Sequence, residues 1–111
     1  MSKKTVVFVF GTRPELIKIY PLVKEAKKRS SLNVIVCSTG QHREILNPLY
    51  ELFEIKADFD FNLMRPNQNL SDLHAETMLQ FRKLIGEVKP HWVVVQGDTS
   101  SAHAAAMTSF Y

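Results

Sequence analysis

Residues 10–18, Phe10-Gly11-Thr12-Arg13-Pro14-Glu15-Leu16-Ile17-Lys18, bring a glycine, a helix-capping pair and two cations to one junction. The run before them, residues 5–10, is almost continuous Val and Phe and reads as a buried strand. The run after them is apolar at a spacing near 3.6 and reads as a helix. A strand turning at a glycine into a helix is a common seat for an anion, because first-turn N–H groups and the positive end of the helix dipole face it. Thr12 and Glu15 have the spacing of a capping box, and Pro14 suits a first turn, where its missing N–H had no partner. Arg13 adds a planar fork of donors matched to phosphate or carboxylate, and Lys18 lies about one turn on. The stretch reads equally well as an ordinary capped helix with a basic start. The single glycine makes neither a dinucleotide-binding loop nor a P-loop.

Two further blocks carry chemistry. Gly97-Asp98-Thr99-Ser100 closes the most apolar run of the chain. A partly desolvated carboxylate at a strand end can act as general acid or base, or it can simply cap the next helix; the residues leave both open. Gly40-Gln41-His42-Arg43-Glu44 stands where a second strand hands over to a second helix. His42 there is either a ligand contact or a helix-start residue bonded to a neighbouring loop. His74, His91 and His103 show no ligand-like spacing, which reads as surface or internally satisfied imidazoles, and no metal site is expected. Cys37, the single cysteine, sits in an apolar run and reads as a small buried hydrophobe.

These blocks need elements to hold them. A chain of 111 residues is one domain at most, and 45% apolar with 23% charged residues is ordinary for a soluble fold. Neither a membrane-length apolar run nor a cleavable leader is visible, so a cytoplasmic protein without membrane partners is expected. The net charge is +3, with much of the basic excess in Lys24, Lys27, Lys28 and Arg29. Cations at a helix carboxyl end complement its dipole, and no nucleic-acid partner is implied.

Strands are expected at 5–10, 33–38, 58–63 and 91–96, and helices at 14–29, 42–53, 70–88 and from 99 or 100 to 111. Leu16, Ile19, Tyr20, Val23 and Ala26 form the buried stripe of the first helix; Ile45, Leu46, Leu49, Leu52 and Phe53 that of the second; Leu73, Thr77, Met78, Phe81, Leu84 and Ile85 that of the third. Pro21 should bend the first helix, and Pro48 has the position to split the second. Strict alternation over 58–63 suits a half-buried edge strand. Strand–helix repetition is the half-unit of a doubly wound, Rossmann-like parallel α/β sheet, and right-handed crossovers give the order 3-2-1-4. The winding reverses between strands one and four, and ligands bind outside the carboxyl ends at such a point. Residues 11–18 and 97–100 leave those two strand ends. No fifth strand follows, so an apolar edge and edge-mediated self-association or a homodimer are expected.

Taken literally, Gly11-Thr12-Arg13-Pro14-Glu15 with Ile17-Lys18 and Pro21-Leu22-Val23 resembles the amino-terminal signature of non-hydrolysing UDP-N-acetylglucosamine 2-epimerases. Gly40-Gln41-His42-Arg43-Glu44 and Gly97-Asp98-Thr99-Ser100 continue the resemblance in order and approximate spacing. The resemblance implies the start of a two-domain, GT-B-type enzyme more than three times this length, with the rest of this domain and a UDP-binding second domain beyond residue 111. It implies interconversion of UDP-GlcNAc and UDP-ManNAc through elimination and re-addition of UDP, without metal or nicotinamide, for cell-surface polysaccharide synthesis. It implies Asp98 as catalytic and Arg13, Lys18, Gly11 and Thr12 as substrate-binding. It matches Gln41, His42, Arg43, Glu44 and Gln68 to contacts of a regulatory UDP-GlcNAc, although Asn67 departs from the basic residue often found there. Two glutamates and a histidine that the family also uses would lie beyond residue 111, so the chain alone is expected to be inactive. A hydrolysing 2-epimerase or a related glycosyltransferase is the neighbouring reading, and a non-catalytic α/β ligand-binding or interaction module the distant one.

Overall fold

The computed structural model describes residues 3–40, 43–61 and 69–96, together with 105 and 109. In chain order the elements are β1 (Lys4–Phe10), α1 (Arg13–Lys27), β2 (Leu32–Ser38), α2 (Arg43–Phe53), β3 (Phe59–Asp60), α3 (Leu70–Val88) and β4 (Trp92–Val94). All pairings are parallel and the sheet order is β3-β2-β1-β4, as the crossover rule predicts. β1 runs in register with β2 over all seven residues, from Lys4 opposite Leu32 to Phe10 opposite Ser38.

From Val6 to Phe10, β1 has no solvent face. Val6, Phe8 and Phe10 join Leu16, Ile19, Val23 and Ala26 of α1, with Leu46 of α2, in one apolar layer. Val7 and Val9 point into a second layer with Cys37, Phe81, Leu84 and Ala105. Alternate residues of one strand thus hold α1 and α2 to one side and α3 to the other, which is why its sequence is continuously apolar. Tyr20 of α1 stacks on Phe53 of α2 at a centroid distance of 4.0 Å, and the Lys24 ammonium lies 5.9 Å from the Tyr20 ring centroid.

The helix ends follow local chemistry. The Asn69 side chain caps α3 by accepting the Asp72 N–H at 2.8 Å. α3 stops at Lys89, left-handed at φ 52°, whose N–H donates to the Ile85 carbonyl, and Pro90 then forbids another turn. α2 ends in a Schellman arrangement: Ile55 N–H donates to Tyr50 O and Glu54 N–H to Glu51 O, with Glu54 at φ 56°. Within α3 the buried Thr77 hydroxyl donates to the Leu73 carbonyl at 2.7 Å.

Several expectations need correction. α2 is not split at Pro48, and α1 too runs as one helix with Pro21 inside it. Both prolines are exposed, so water can take the carbonyl each leaves unpaired. Leu52 is not on the buried stripe but 72% exposed. At 100° per residue it lies about 100° around from the direction shared by Leu46, Leu49 and Phe53. β3 has two residues, not the six of 58–63; residues 62 and 63 lie outside the described set. Its pairing is carried on by side chain and flank: Asp58 N–H donates to Val36 O, the Asp58 carboxylate accepts Val36 N–H, and Phe61 N–H donates to Ser38 O. β4 covers Trp92–Val94 rather than 91–96, with Trp92 57% exposed. His91 extends the strand's contact with β1, its N–H donating to Thr5 O and its Nδ1 accepting Thr5 N–H. The expected final helix is described only at Ala105 and Ser109, both helical, with the Ser109 hydroxyl donating to Ala105 O.

Candidate functional site

The turn from β1 into α1 is built by one carboxylate. Thr12 is the N-cap in extended conformation, at φ −125° and ψ 164°, with the capping box formed and Pro14 in the first turn. Glu15 Oε1 accepts the Thr12 N–H at 3.0 Å and, beyond what a capping box requires, the Gly11 N–H at 2.8 Å. Glu15 is 2% exposed and Thr12 8%. The first-turn donors expected to be free for a ligand are therefore largely spent: two N–H groups face Glu15, and Pro14 has none. The spacing of Thr12 and Glu15 signalled the box; nothing local signalled the bond to Gly11.

Arg13 and Lys18 are both exposed, at the start of α1 and about one turn on. The site thus offers anions exposed cationic side chains on α1, beside a turn whose Gly11 and Thr12 N–H groups are already bonded. Glu25 pairs with Arg29 at 2.9 Å and Lys28 at 3.9 Å, all on the solvated far end of α1, where the basic residues serve the helix end.

A second set of bonds laces the neighbouring strand ends. Thr39 N–H donates to Phe10 O at 3.0 Å, and Gly40 N–H donates to the Ser38 hydroxyl at 3.1 Å. Ser38 and Thr39 are 1% and 0% exposed. Gly40 is buried at φ 80°, a backbone state that strains any residue with a Cβ, so the glycine of the second block is a conformational requirement. The turn after β1 and the turn after β2 consequently form one connected rim. Sequence reading passed over Ser38 and Thr39, since polar residues at a strand's end carry no distinctive spacing.

Arg43 and Glu44 form the start of α2. Gln41, His42 and Gln68 lie outside the described residues, as do Asp98 and the whole 97–100 block. The neighbour of that block is described: β4 pairs with β1, and Val95 and Gln96 lead from it at the same end of the sheet as Gly11. The winding reverses between these two strands, with helices on opposite faces, so the rim lies at a switch point.

Cys37 is fully buried, and burial, with the charge of Asp60 adding to it, pushes its thiol well above the ordinary range. It is a packing residue, not a nucleophile. His91 is an internally satisfied imidazole at the opposite, amino end of the sheet. Among the described residues no group of three or more His, Cys, Asp or Glu side chains is placed to hold a metal ion, and no helix is long and apolar enough to cross a membrane.

The family model for UDP-N-acetylglucosamine 2-epimerase matches residues 24–111. The UDP-N-acetylglucosamine 2-epimerase of Campylobacter jejuni is 43% identical over 97% of this chain, and that of Bacillus subtilis 40% identical over all of it. The chain spans only 28% and 29% of those two proteins. The crystal structure of UDP-GlcNAc 2-epimerase from Neisseria meningitidis bound to UDP-GlcNAc superposes with a TM-score of 0.92 at 43% identity, covering 96% of this chain and 29% of that one.

Proposed function

Because this chain belongs to the UDP-N-acetylglucosamine 2-epimerase family, we propose that it is the amino-terminal part of an enzyme interconverting UDP-GlcNAc and UDP-ManNAc. The observation that carries the proposal is the basic turn at the β1/β4 switch point, in a fold matched at 43% identity by a relative solved with UDP-GlcNAc. In this reading residues 1–111 are part of a Rossmann-like domain, completed by further chain and by a second, UDP-binding domain.

The chemistry is an elimination followed by its reverse. A base removes the C2 proton as the C1–O bond to UDP breaks, UDP leaving with the electron pair and C1=C2 forming. Protonation at the opposite face of C2, with UDP returned to C1, gives the epimer. Each half needs a proton-transfer group near C2 and cations on the departing diphosphate. Arg13 and Lys18 supply cations, Gly11 and Thr12 the floor of the turn, and Asp98 proton transfer or its support. Gln41, His42, Arg43, Glu44 and Gln68 belong to a regulatory UDP-GlcNAc contact in the same reading. No cofactor takes part in this scheme.

Proton NMR of UDP-GlcNAc in deuterated buffer tests it. The chain alone should leave the C2 proton signal intact. The chain extended to the length of its relatives should exchange that proton with solvent. In the extended protein Arg13→Ala should weaken UDP binding about two- to fivefold, the loss of one exposed charge-assisted contact. Exchange by the chain alone, or its absence in the extended protein, refutes the proposal. Free ManNAc as product would mark the hydrolysing reaction instead.

A further inference from the structure

The least expected feature of the site is that its backbone anion seat is already taken. Two consecutive N–H groups at a strand-to-helix turn, Gly11 and Thr12, converge on one oxygen of Glu15 at 2.8 and 3.0 Å. Convergent backbone donors of this kind are how turns hold phosphate or carboxylate from outside. Here the anion is covalently part of the first helical turn and is shielded from water, Glu15 being 2% exposed. A carboxylate so placed also offsets the positive end of the α1 dipole.

We infer that Glu15 is a positioning residue whose carboxylate permanently fills the backbone anion seat at the end of β1. An incoming diphosphate is then taken by side chains, Arg13 and Lys18 first among them, and not by the Gly11 and Thr12 amides. The turn is set before any ligand arrives, and its conformation does not depend on one. The identity of the diphosphate rests on the function proposed above; the occupation of the seat does not.

Chemical rescue tests this by amide hydrogen exchange on the ¹⁵N-labelled chain, with inorganic pyrophosphate as probe. In the wild type, Gly11 and Thr12 should exchange slowly, with or without pyrophosphate. In Glu15→Ala both should exchange fast, and pyrophosphate should slow them again by roughly tenfold as it enters the vacated seat. A residue that only packs would show the loss without the rescue. Fast exchange at these amides in the wild type, or no rescue in a folded Glu15→Ala, overturns the inference. Should Glu15→Ala fail to fold, Glu15→Gln decides. It keeps an acceptor oxygen without the charge, so exchange should rise and pyrophosphate should lower it; a Glu15→Gln variant that exchanges as slowly as the wild type and ignores pyrophosphate would refute the role of the charge. Failure of the functional proposal is read separately, as absence of C2 proton exchange by the extended protein, and leaves the rescue result standing.

Discussion

Asp58 does the work of a strand that is barely there. β3 contributes two residues of ladder, yet Asp58 attaches its start to β2 through two bonds of 2.7 Å, one from its own N–H to Val36 O and one from Val36 N–H to its Oδ2. Asp58→Ala keeps the first bond and removes the second. The orphaned donor belongs to a residue that is 0% exposed. A hydrogen bond to a charged acceptor is worth about 1.5–3 kcal/mol net, and leaving its buried partner unmade costs a similar amount. Asp58 itself is exposed, so water can reach the edge and take over part of the role. The expected destabilisation is therefore about 1.5 kcal/mol, at the low end. Asp58→Asn retains a carbonyl oxygen in the same place and should cost about 0.5 kcal/mol. Equilibrium urea unfolding followed by tryptophan fluorescence measures both. With a slope of about 1.5 kcal/mol/M, the alanine variant should lose about 1 M in midpoint and the asparagine variant about a third of that. Equal midpoints for the two variants, or an alanine variant matching the wild type, would refute the argument that the side chain substitutes for missing ladder.

Three other outcomes follow from the same structure. Gly86 lies in the last turns of α3 with nothing within 4 Å of where a Cβ would sit, so Gly86→Ala should stabilise by about 0.5–1 kcal/mol in the same urea assay. Lys89 occupies a left-handed position at φ 52°, so Lys89→Gly should gain about 0.5–1 kcal/mol, whereas Lys89→Val should lose stability. Cys37 should resist thiol reagents in the native state, reacting no faster than the chain opens. Because its folded thiol is held neutral while the unfolded one ionises near about 8.5, its stability contribution is full below that pH and declines above it, by up to about 1.4 kcal/mol per pH unit. Comparing urea midpoints at pH 8 and pH 10, Cys37→Ala should show a shallower decline than the wild type.

Much of this architecture is legible along the chain because it is written locally. The third helix runs from Leu70 to Val88 as expected, since Asn69 caps its start and Pro90 bars its extension. The continuous Val-Phe run of β1 announces burial on both faces, and the strand order follows from crossover handedness. What escaped depends on partners distant in sequence. Whether residues 58–63 form six residues of strand or two is decided by how β2 presents its edge, and Val36 meets Asp58 across 22 positions. Leu52 failed because an apolar residue next to a stripe is indistinguishable by type from one within it. At the site, Thr12 and Glu15 were visible as a cap. That the same carboxylate also takes the Gly11 N–H depends on the path of the backbone leaving β1, and no spacing rule records it.

The central place of β1 also bears on how the chain is made. Its partner on one side, β2, begins 28 positions after it, but the bond between Thr5 and His91 closes a gap of 86. At about 5–20 residues per second of synthesis, roughly 4–17 s pass between the emergence of those two residues. Throughout that interval Val7 and Val9 wait for Phe81 and Leu84. One face of β1 is covered at once by α1, while the other presents an apolar ribbon until α3 and β4 have been made.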